Sequence, residues 1–563
     1  MTRFSLTPVA GASLALALCA APAQAASVEF GPFSGNLDSS VSTGVGIRTQ
    51  APSPSLILQG NTGGPTGQAS MFSGLGDQGT LNYDRGDPFT LYLKGSHELL
   101  LKGPSDITIM ARANWLRDFA ATRTTGWNSV SSSPSNVSFD ASSYSGGLMK
   151  PAREDLRFKA RLLDLWVSKS FEIGEQRARL RVGQQVISWG ESLFATGGIN
   201  AANPADVMRL SQPGTQLKEG ILPTPAVSLA SGLGNGFNIE AYVQTQWKGN
   251  YMPPTGSYWS LVNGLGKGQE QYGFTERKPG NGGQYGVALK YRPSGTSLDL
   301  GLYALSYHDK APQLNFTTMA LPDGTVVPAT QFYTYPAHRK LIGLSANFPV
   351  GDWAVGTELS YRPKEAVMLN PNLSFCSSQG GRCYVDEKKL QWHLTGFLSL
   401  SPSNAGPLLD LLGADGGNVL TELVVMHFPQ LKKEYGGDII AAGGWSWGNE
   451  QLPIPQAMPL ATGTKTSSGL SVDFSWTYDG SLIPGWQVTP EVFVSWGLHG
   501  RTPTLQGNYM QGARSVNYIL TFTRNPATWQ LGLNYARFSG GKSVLDQPLG
   551  DRDFVGAYAT FNF

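Results

Sequence analysis

The chain has 563 residues, a formal net charge of +2, 15% charged residues, 11% aromatics and 69 glycines. A balance this near neutral excludes the basic surface that a nucleic-acid partner needs. Past residue 25 no apolar run nears the roughly 18 to 20 residues of a membrane-crossing helix, so any crossing must be made by strands.

The chain opens "MTRFSLTPVAGASLALALCAAPAQAASVEF". Arg3 precedes an apolar stretch from Val9 to Ala20, and Ala23-Gln24-Ala25 makes a small-x-small cleavage pattern. Residues 1–25 therefore read as a secretory signal peptide cut after Ala25. Cys19 offers the rival reading of a lipoprotein anchor; against it, Leu18 stands where lipoprotein processing wants a small residue. Strand-like residues start at about Gly35, which leaves no room for the N-terminal plug domain of an energy-coupled receptor.

The following segments alternate apolar and polar residues, the period of strands with lipid on one face and water on the other. "DITIMARANW" sets Ile107, Ile109, Ala111, Ala113 and Trp115 against Arg112 and Asn114, and "FNIEAYVQTQW" sets Phe237, Ile239, Ala241, Val243 and Trp247 against Glu240, Gln244 and Gln246. "LSVDFSWTY" alternates Leu470, Val472, Phe474, Trp476 and Tyr478 with Asp473 and Ser475. Short turns ("KGPSD", "FEIGEQ", "GLGNG", "RPSGTS", "PVGD", "DGSLIPG", "RNPAT") alternate with long Gly/Pro-rich segments such as 120–151, 248–283, 308–338 and 427–465. That sorting is the expectation for an outer-membrane barrel. One connection on the short side, 403–417, could hold a helical turn, its leucines packed against the barrel rim.

The expected fold is all-β, a transmembrane antiparallel β-barrel of about 18 strands (roughly 14 to 20) with both termini in the periplasm. Residues 26–563 form this one domain. Only a closed sheet satisfies every strand hydrogen bond in hydrocarbon. Trp115, Trp247, Trp353, Trp486 and Trp529 fall near strand ends, where aromatic girdles belong. The last strand, "FVGAYATFNF", ends on Phe563, which resembles the terminal signature through which the barrel assembly machinery recognises its clients. The implied location is the outer membrane of a Gram-negative bacterium, with its lipid as the surrounding partner.

By phase, Arg112, Asp164, Arg179, Arg181, Glu240, Lys290, Glu358, Glu422, Asp473 and Glu491 line the lumen. Both signs are present, which argues against sharp ion selectivity. They read either as hydrated, paired wall charges or as a binding site. Cys376 and Cys383, in a Gly/Ser-rich loop, read as a disulfide or as two free thiols. No further ligands stand near them for zinc, and no cofactor is expected. His308 beside Asp309 could orient a base. No nucleophile elbow or metal-binding His pair accompanies it, so an outer-membrane hydrolase is the least favoured reading.

The segment 182–210, "VGQQVISWGESLFATGGINAANPADVMRL", is the end of the fifth strand and the third external loop, 190–216. Arg179, Arg181, Gln185 and Trp189 point inward by phase, and Leu180, Val182 and Val186 outward. Leu193, Phe194, Ile199, Val207 and Met208 need burial, and the lumen is the nearest place for it. Glycines at 197 and 198 permit tight turns, and Pro204 fixes a corner. Trp189, Glu191, Asn200, Asn203, Asp206 and Arg209 are the candidate constriction or gate residues, tying an inward-folded loop to the wall. The alternative is a packing plug without ligand contact.

"GQQVISWGESLFATGGINAANPADVMRL" resembles the hallmark of the bacterial outer-membrane family known as domain of unknown function 1302, and the likeness covers most of the mature chain, starting near "GVGIRTQ" and including "GDPFTLYLKGSHELLLKG". The resemblance implies a β-barrel, a periplasmic lipoprotein-like partner, an inner-membrane exporter of the resistance-nodulation-division type, and movement of hydrophobic compounds. It assigns no catalytic residues. "NPAD" is also similar to the Asn-Pro-Ala motif of the fatty-acid channels, where it sits in an N-terminal hatch rather than a third loop. The expected function is an outer-membrane channel or transport component for small or lipid-like molecules. The alternative is a structural or docking component that passes no substrate alone.

Overall fold

The computed structural model describes residues 26–53, 78–124, 148–211, 217–324, 326–369, 373–440, 462–504, 509–524, 527–541 and 546–563. The expected signal peptide and Cys19 lie outside them.

Eighteen of the strands close into one ring, numbered here in chain order. They are β1 (Phe33–Arg48), β2 (Pro88–Lys102), β3 (Ile107–Asp118), β4 (Phe158–Ile173), β5 (Gln176–Gln185) and β6 (Thr224–Gly234). Then come β7 (Phe237–Gln244), β8 (Gln284–Tyr291), β9 (Asp299–Tyr307), β10 (Arg339–Val350), β11 (Trp353–Met368) and β12 (Tyr384–Leu400). The ring ends with β13 (Gly416–His427), β14 (Thr466–Asp479), β15 (Trp486–His499), β16 (Ala513–Arg524), β17 (Trp529–Gly540) and β18 (Phe554–Asn562). Each pairs antiparallel with its sequence neighbour, and β18 returns to β1 with Ser40 opposite Asn562 and Arg48 opposite Phe554. The seam is zipped to the last residue: Ser39 and Phe563 exchange both backbone hydrogen bonds at 2.8 Å. The short strand Ala26–Phe30 lies outside the ring and pairs with the first residues of β1, covering the edge that β18 leaves free.

The ring follows from the alternation. In β14 the row Ser471, Asp473, Ser475 faces in, and Leu470, Val472, Phe474 and Trp476 face out. Outward residues such as Ile342, Leu344, Val243 and Leu533 stay exposed in large part, because the outer face has no protein layer over it. Such a surface suits hydrocarbon rather than water. Of the expected girdle residues, Trp353, Trp486 and Trp529 open their strands at the short-turn end. Trp115 instead lies within β3, its indole N–H on His97 Nε2 at 3.3 Å, and Trp247 lies beyond β7, edge-on to Tyr335.

The two ends of the ring differ. At one end the connections are turns of a few residues, apart from the helix Pro402–Leu412 between β12 and β13. The leucines of that helix depart from expectation: Leu409 is buried, whereas Leu408 and Leu411 stand exposed. At the other end long segments interlock. The segment after β7 carries Tyr258, which stacks on Phe89 of β2 at 3.8 Å and meets Trp259, whose ring in turn meets Phe554 of β18. Its next residues, Val262, Leu265, Tyr272 and Phe274, pack with Leu314, Phe316 and Tyr333 and with the disulfide that joins Cys376 to Cys383. One segment thus touches opposite sides of the mouth. Arg48, fully buried, ties the first and last long connections by donating to the carbonyls of Thr80, Tyr83 and Asp551.

Candidate functional site: a segment folded across the lumen

After β5 the chain leaves the wall and turns inward. Ile187 and Trp189 enter a buried cluster with Tyr242, Tyr303, Tyr307 and Leu341, side chains of β7, β9 and β10. The Trp189 indole donates to Glu240 Oε2 at 2.7 Å, and Lys290 holds the other oxygen of Glu240 at 2.8 Å. From Gly190 to Gly198 the chain travels to the far wall, and from Ile199 to Asn203 it returns along the same cluster.

At the far wall two buried carboxylates receive the backbone. Glu358 of β11 accepts from the N–H of Glu191 (2.6 Å) and of Ile199 (2.9 Å). Glu422 of β13 accepts from Leu193 (3.3 Å), Phe194 (2.6 Å) and Ala195 (2.8 Å). Between them stands His393 of β12, with Nδ1 on Glu422 Oε1 at 2.7 Å and Nε2 facing the Gln391 amide at 2.8 Å. The Gln391 amide also donates to the Thr196 carbonyl at 3.0 Å, and Arg362 donates to the Gly198 carbonyl at 2.7 Å. Past these anchors Phe194 meets Phe493 of β15, ring centres 5.2 Å apart. Five backbone N–H donors of one loop thus converge on two carboxylates. Hydrogen bonds to ionised acceptors are the strong kind. The approach demands glycine: a Cβ on Gly198 would lie 1.9 Å from Glu358 Oε1, and Gly190, at φ 88°, would place one 2.3 Å from Oε2.

The root is closed by a different device. The Asn203 side chain accepts from Ile187 N–H at 3.0 Å and donates to Ile187 O at 2.5 Å, so one amide staples the outgoing and returning strands of the segment. It also donates to Asn200 Oδ1 at 2.9 Å. Asp206 caps the helical turn Val207–Leu210, accepting from Arg209 N–H at 2.8 Å, and pairs with Arg161 of β4. Arg209 lies between Asp206 and Glu219, and Lys94 of β2 holds Glu219 at 2.9 Å.

The residues singled out from sequence therefore fall in three places. Glu191 lies on the crossing itself, where Asn347 of β10 donates to its carboxylate at 3.0 Å. Trp189, Asn200 and Asn203 stand at the root. Asp206 and Arg209 belong to the network that joins this segment to β2 and β4. Of the lumen residues, Arg112 pairs with Asp164 and Glu240 with Lys290. Arg181 lies 4.1 Å over the Trp166 ring, and Arg179 lines a cavity. Glu358 and Glu422 are anchors for the loop rather than bare wall. His393 and Gln391 were not singled out at all. The signal for them existed: Lys389, Gln391, His393 and Thr395 are a run of bulky polar residues on one face of β12.

Under the crossing segment, toward the short-turn end, the wall of β4 to β10 encloses a cavity of about 900 Å³ lined by Arg177, Arg179, Glu240, Lys290, Tyr303 and Asn347. The opposite wall is unlike it. Phe397, Leu420, Asp473 and Phe493 stand directly opposite one another across β12 to β15, with Glu491 one step along the same face. This row is apolar and aromatic, broken by two carboxylates.

The His308–Asp309 pair does not assemble a base. His308 Nε2 faces the Gly282 carbonyl at 2.8 Å, its Nδ1 accepts from His338 N–H at 2.9 Å, and Asp309 faces Arg339 at 3.7 Å. Among the described residues no group of three or more His, Cys, Asp or Glu could hold a metal ion.

Residues 6–563 match a family model described as "Protein of unknown function (DUF1302)". No curated protein matches the chain. Among solved structures it is similar to OpdK of Pseudomonas aeruginosa with vanillate, at 10% identity over 94% of this chain and 98% of that one, TM-score 0.40. It is similar to OccAB1 of Acinetobacter baumannii at 11% identity over 94% and 96%, TM-score 0.42. It is also similar to OccK2 (OpdF) of Pseudomonas aeruginosa in complex with glucuronate, at 9% identity over 94% and 97%, TM-score 0.38.

Proposed function

The chain belongs to the DUF1302 family, and from the ring and its crossing segment we propose that it is an outer-membrane channel for small or hydrophobic molecules, with residues 190–203 as the constriction that controls passage. The observation that carries this reading is the delivery of five backbone N–H groups of one loop onto Glu358 and Glu422 on the far wall. A loop that merely filled space would need only apolar contact. A loop held at its far end by removable polar contacts is suited to being released. The row Phe397, Leu420 and Phe493 supports passage of a molecule with an apolar body, and the mixed charges of the opposite cavity argue against a simple ion pore. In this reading the short-turn end faces the periplasm, where a lipoprotein-like carrier and an inner-membrane exporter would meet the channel, and Phe563 at the seam is the mark for the assembly machinery.

The test is electrical. Deletion of residues 193–208 should raise single-channel conductance in planar bilayers, and liposome swelling should distinguish sugars from fatty acids as permeants. Unchanged conductance with a folded barrel would sink the constriction. A second reading, a docking component that passes nothing alone, is favoured by the interlocked mouth, where Tyr258 and the disulfide cluster touch opposite rims. It predicts a silent bilayer for both proteins.

A further inference from the structure

The connection between β12 and β13 is out of proportion to its neighbours. Where the other described turns at that end take a few residues, it forms the eleven-residue helical stretch Pro402–Leu412, kinked at Ala405, opened by a capping box between Ser401 and Asn404 and closed on Gly413 in the left-handed conformation. Its position is fixed by the lipid-facing side of the wall. Tyr478, on the outward face of β14, donates to the Leu412 carbonyl at 2.7 Å. Asp415 accepts from the backbone N–H of Asp479 at 2.7 Å and from Ser481 at 3.2 Å, which binds the helix to the next turn, 480–485. Two outward-facing residues nearby, Leu400 and Val488, are 6% and 4% exposed, whereas Leu344 on the open outer face is 54% exposed. Buried Leu409 and covered Leu400 show that the helix lies against the outside of the barrel and not under its lumen.

What the helix then presents outward is apolar. Leu411 is 82% exposed, with Leu408 beside it one turn back, and the adjoining turn adds Leu482 and Ile483, both exposed. From Ser401 to Gly417 the charged residues are Asp410 and Asp415; there is no Lys or Arg. A soluble face of this make-up would carry a cost in water. It is continuous with Trp476 and Trp486, which lie on the outward face of β14 and β15 at the same end. An apolar helix edge beside an aromatic girdle suits the boundary between headgroups and acyl chains.

We propose that this helix and the 480–485 turn are a lipid anchor, with Leu408, Leu411, Leu482 and Ile483 inserted into the periplasm-side leaflet. The proposal rests on the reading of the outer face as membrane-embedded. The anchor holds by apolar insertion, without attraction to anionic headgroups, so it is insensitive to salt and to the share of anionic lipid. It fixes the depth of the β12–β15 sector, the sector that carries Glu422 and Phe493.

The experiment uses the full chain in nanodiscs of phosphatidylethanolamine and phosphatidylglycerol, with three variants that each add one free cysteine to the disulfide pair and carry an environment-sensitive dye there: Leu411→Cys, Ser403→Cys at the polar start of the helix beside Ser401, and Leu344→Cys on the barrel face. Spin-labelled lipids are the quencher. The expected result is quenching of the Leu411 label as strong as that of the Leu344 label, with the Ser403 label quenched several-fold less, at low and high salt alike. A water-exposed Leu411 label beside a quenched Leu344 label overturns the anchor and leaves the membrane reading standing. If neither label is quenched, both readings fall. If Leu411 is protected only after a periplasmic protein is added, the surface belongs to that protein and the anchor is overturned.

Discussion

The crossing segment is fastened at both ends, and the two fastenings are of different kinds. At the root one neutral amide, Asn203, staples Ile187 from both sides within a cluster of tyrosines and Trp189. At the far wall two carboxylates, with an imidazole bonded to one of them, hold bare backbone, and the apolar contacts are Phe194 on Phe493 and Ala195 against Val424, Met426 and Tyr509. The root couples polar pairing to hydrophobic burial, so it opens only if the cluster comes apart. The far end depends on groups whose partners water could replace. A hinge at one end and a catch at the other is what the difference teaches.

That distinction can be broken at the catch first. Replacing both Glu358 and Glu422 by Gln removes two carboxylate acceptors, each hydrogen bond lost being worth roughly 0.5–1.5 kcal/mol. The double variant is expected to keep its heat stability as a barrel while its conductance rises toward that of the loop deletion; a conductance equal to wild type would refute the catch. Next in size is Gly198→Ala, whose methyl would collide with Glu358. It should raise open-channel probability less than the double variant does, as read from single-channel dwell times. At the root, Asn203→Ala should cost about 1–3 kcal/mol through the unpaired Ile187 groups. Because the tyrosine cluster remains, it should lower the unfolding temperature without a rise in conductance; equal conductance effects at both ends would erase the contrast.

The smallest effect expected is on the mouth, and it concerns pH. Burial, reinforced by Glu365, pushes the Asp309 carboxyl up to about 7, and burial pushes the Lys310 amine down to about 7. Asp309 keeps its proton in the folded mouth at pH values where an unfolded chain has lost it, so its contribution favours the folded mouth in acid and is lost as pH rises through about 7. Lys310 works the other way: its cost is full below about 7 and disappears as pH rises above it. In the wild type the two slopes oppose. Asp309→Asn should leave a mouth that tightens from pH 5 to pH 8, and Lys310→Met one that loosens, as read by hydrogen exchange over residues 308–338. Slopes of the same sign in both variants would contradict the assignment.

Much of the ring was legible because strand alternation is a local property. Ile107 to Trp115 and Leu470 to Tyr478 each announce their two faces, and the sorting of turns by length sets the direction of each strand. The inward fold of the third loop was legible from Phe194 and Ile199, apolar residues without a local place to go. Its far anchors were not. Glu358 and Glu422 look like any inward carboxylate from sequence, because nothing local tells which residue 160 to 230 positions away will donate to it. The helix Pro402–Leu412 shows the opposite failure: its leucines invite packing, and only the finished wall reveals that Leu409 alone is buried while Leu411 is left outside.

The long reach of the catch has a consequence for how the molecule comes into being. Glu191 and Glu358 are 167 residues apart, and Leu193 and Glu422 are 229 apart. Until β11 and β13 are in place, the wall that receives the loop after β5 does not exist. Contacts of such separation form late, since the ends of a long chain must first be brought together. The crossing segment must therefore wait unfastened inside a growing sheet until β13 has arrived. Maturation then has two completion events, the fastening at Glu422 and the seam at Phe563. Only when both are complete does the ring have a closed wall and a guarded interior.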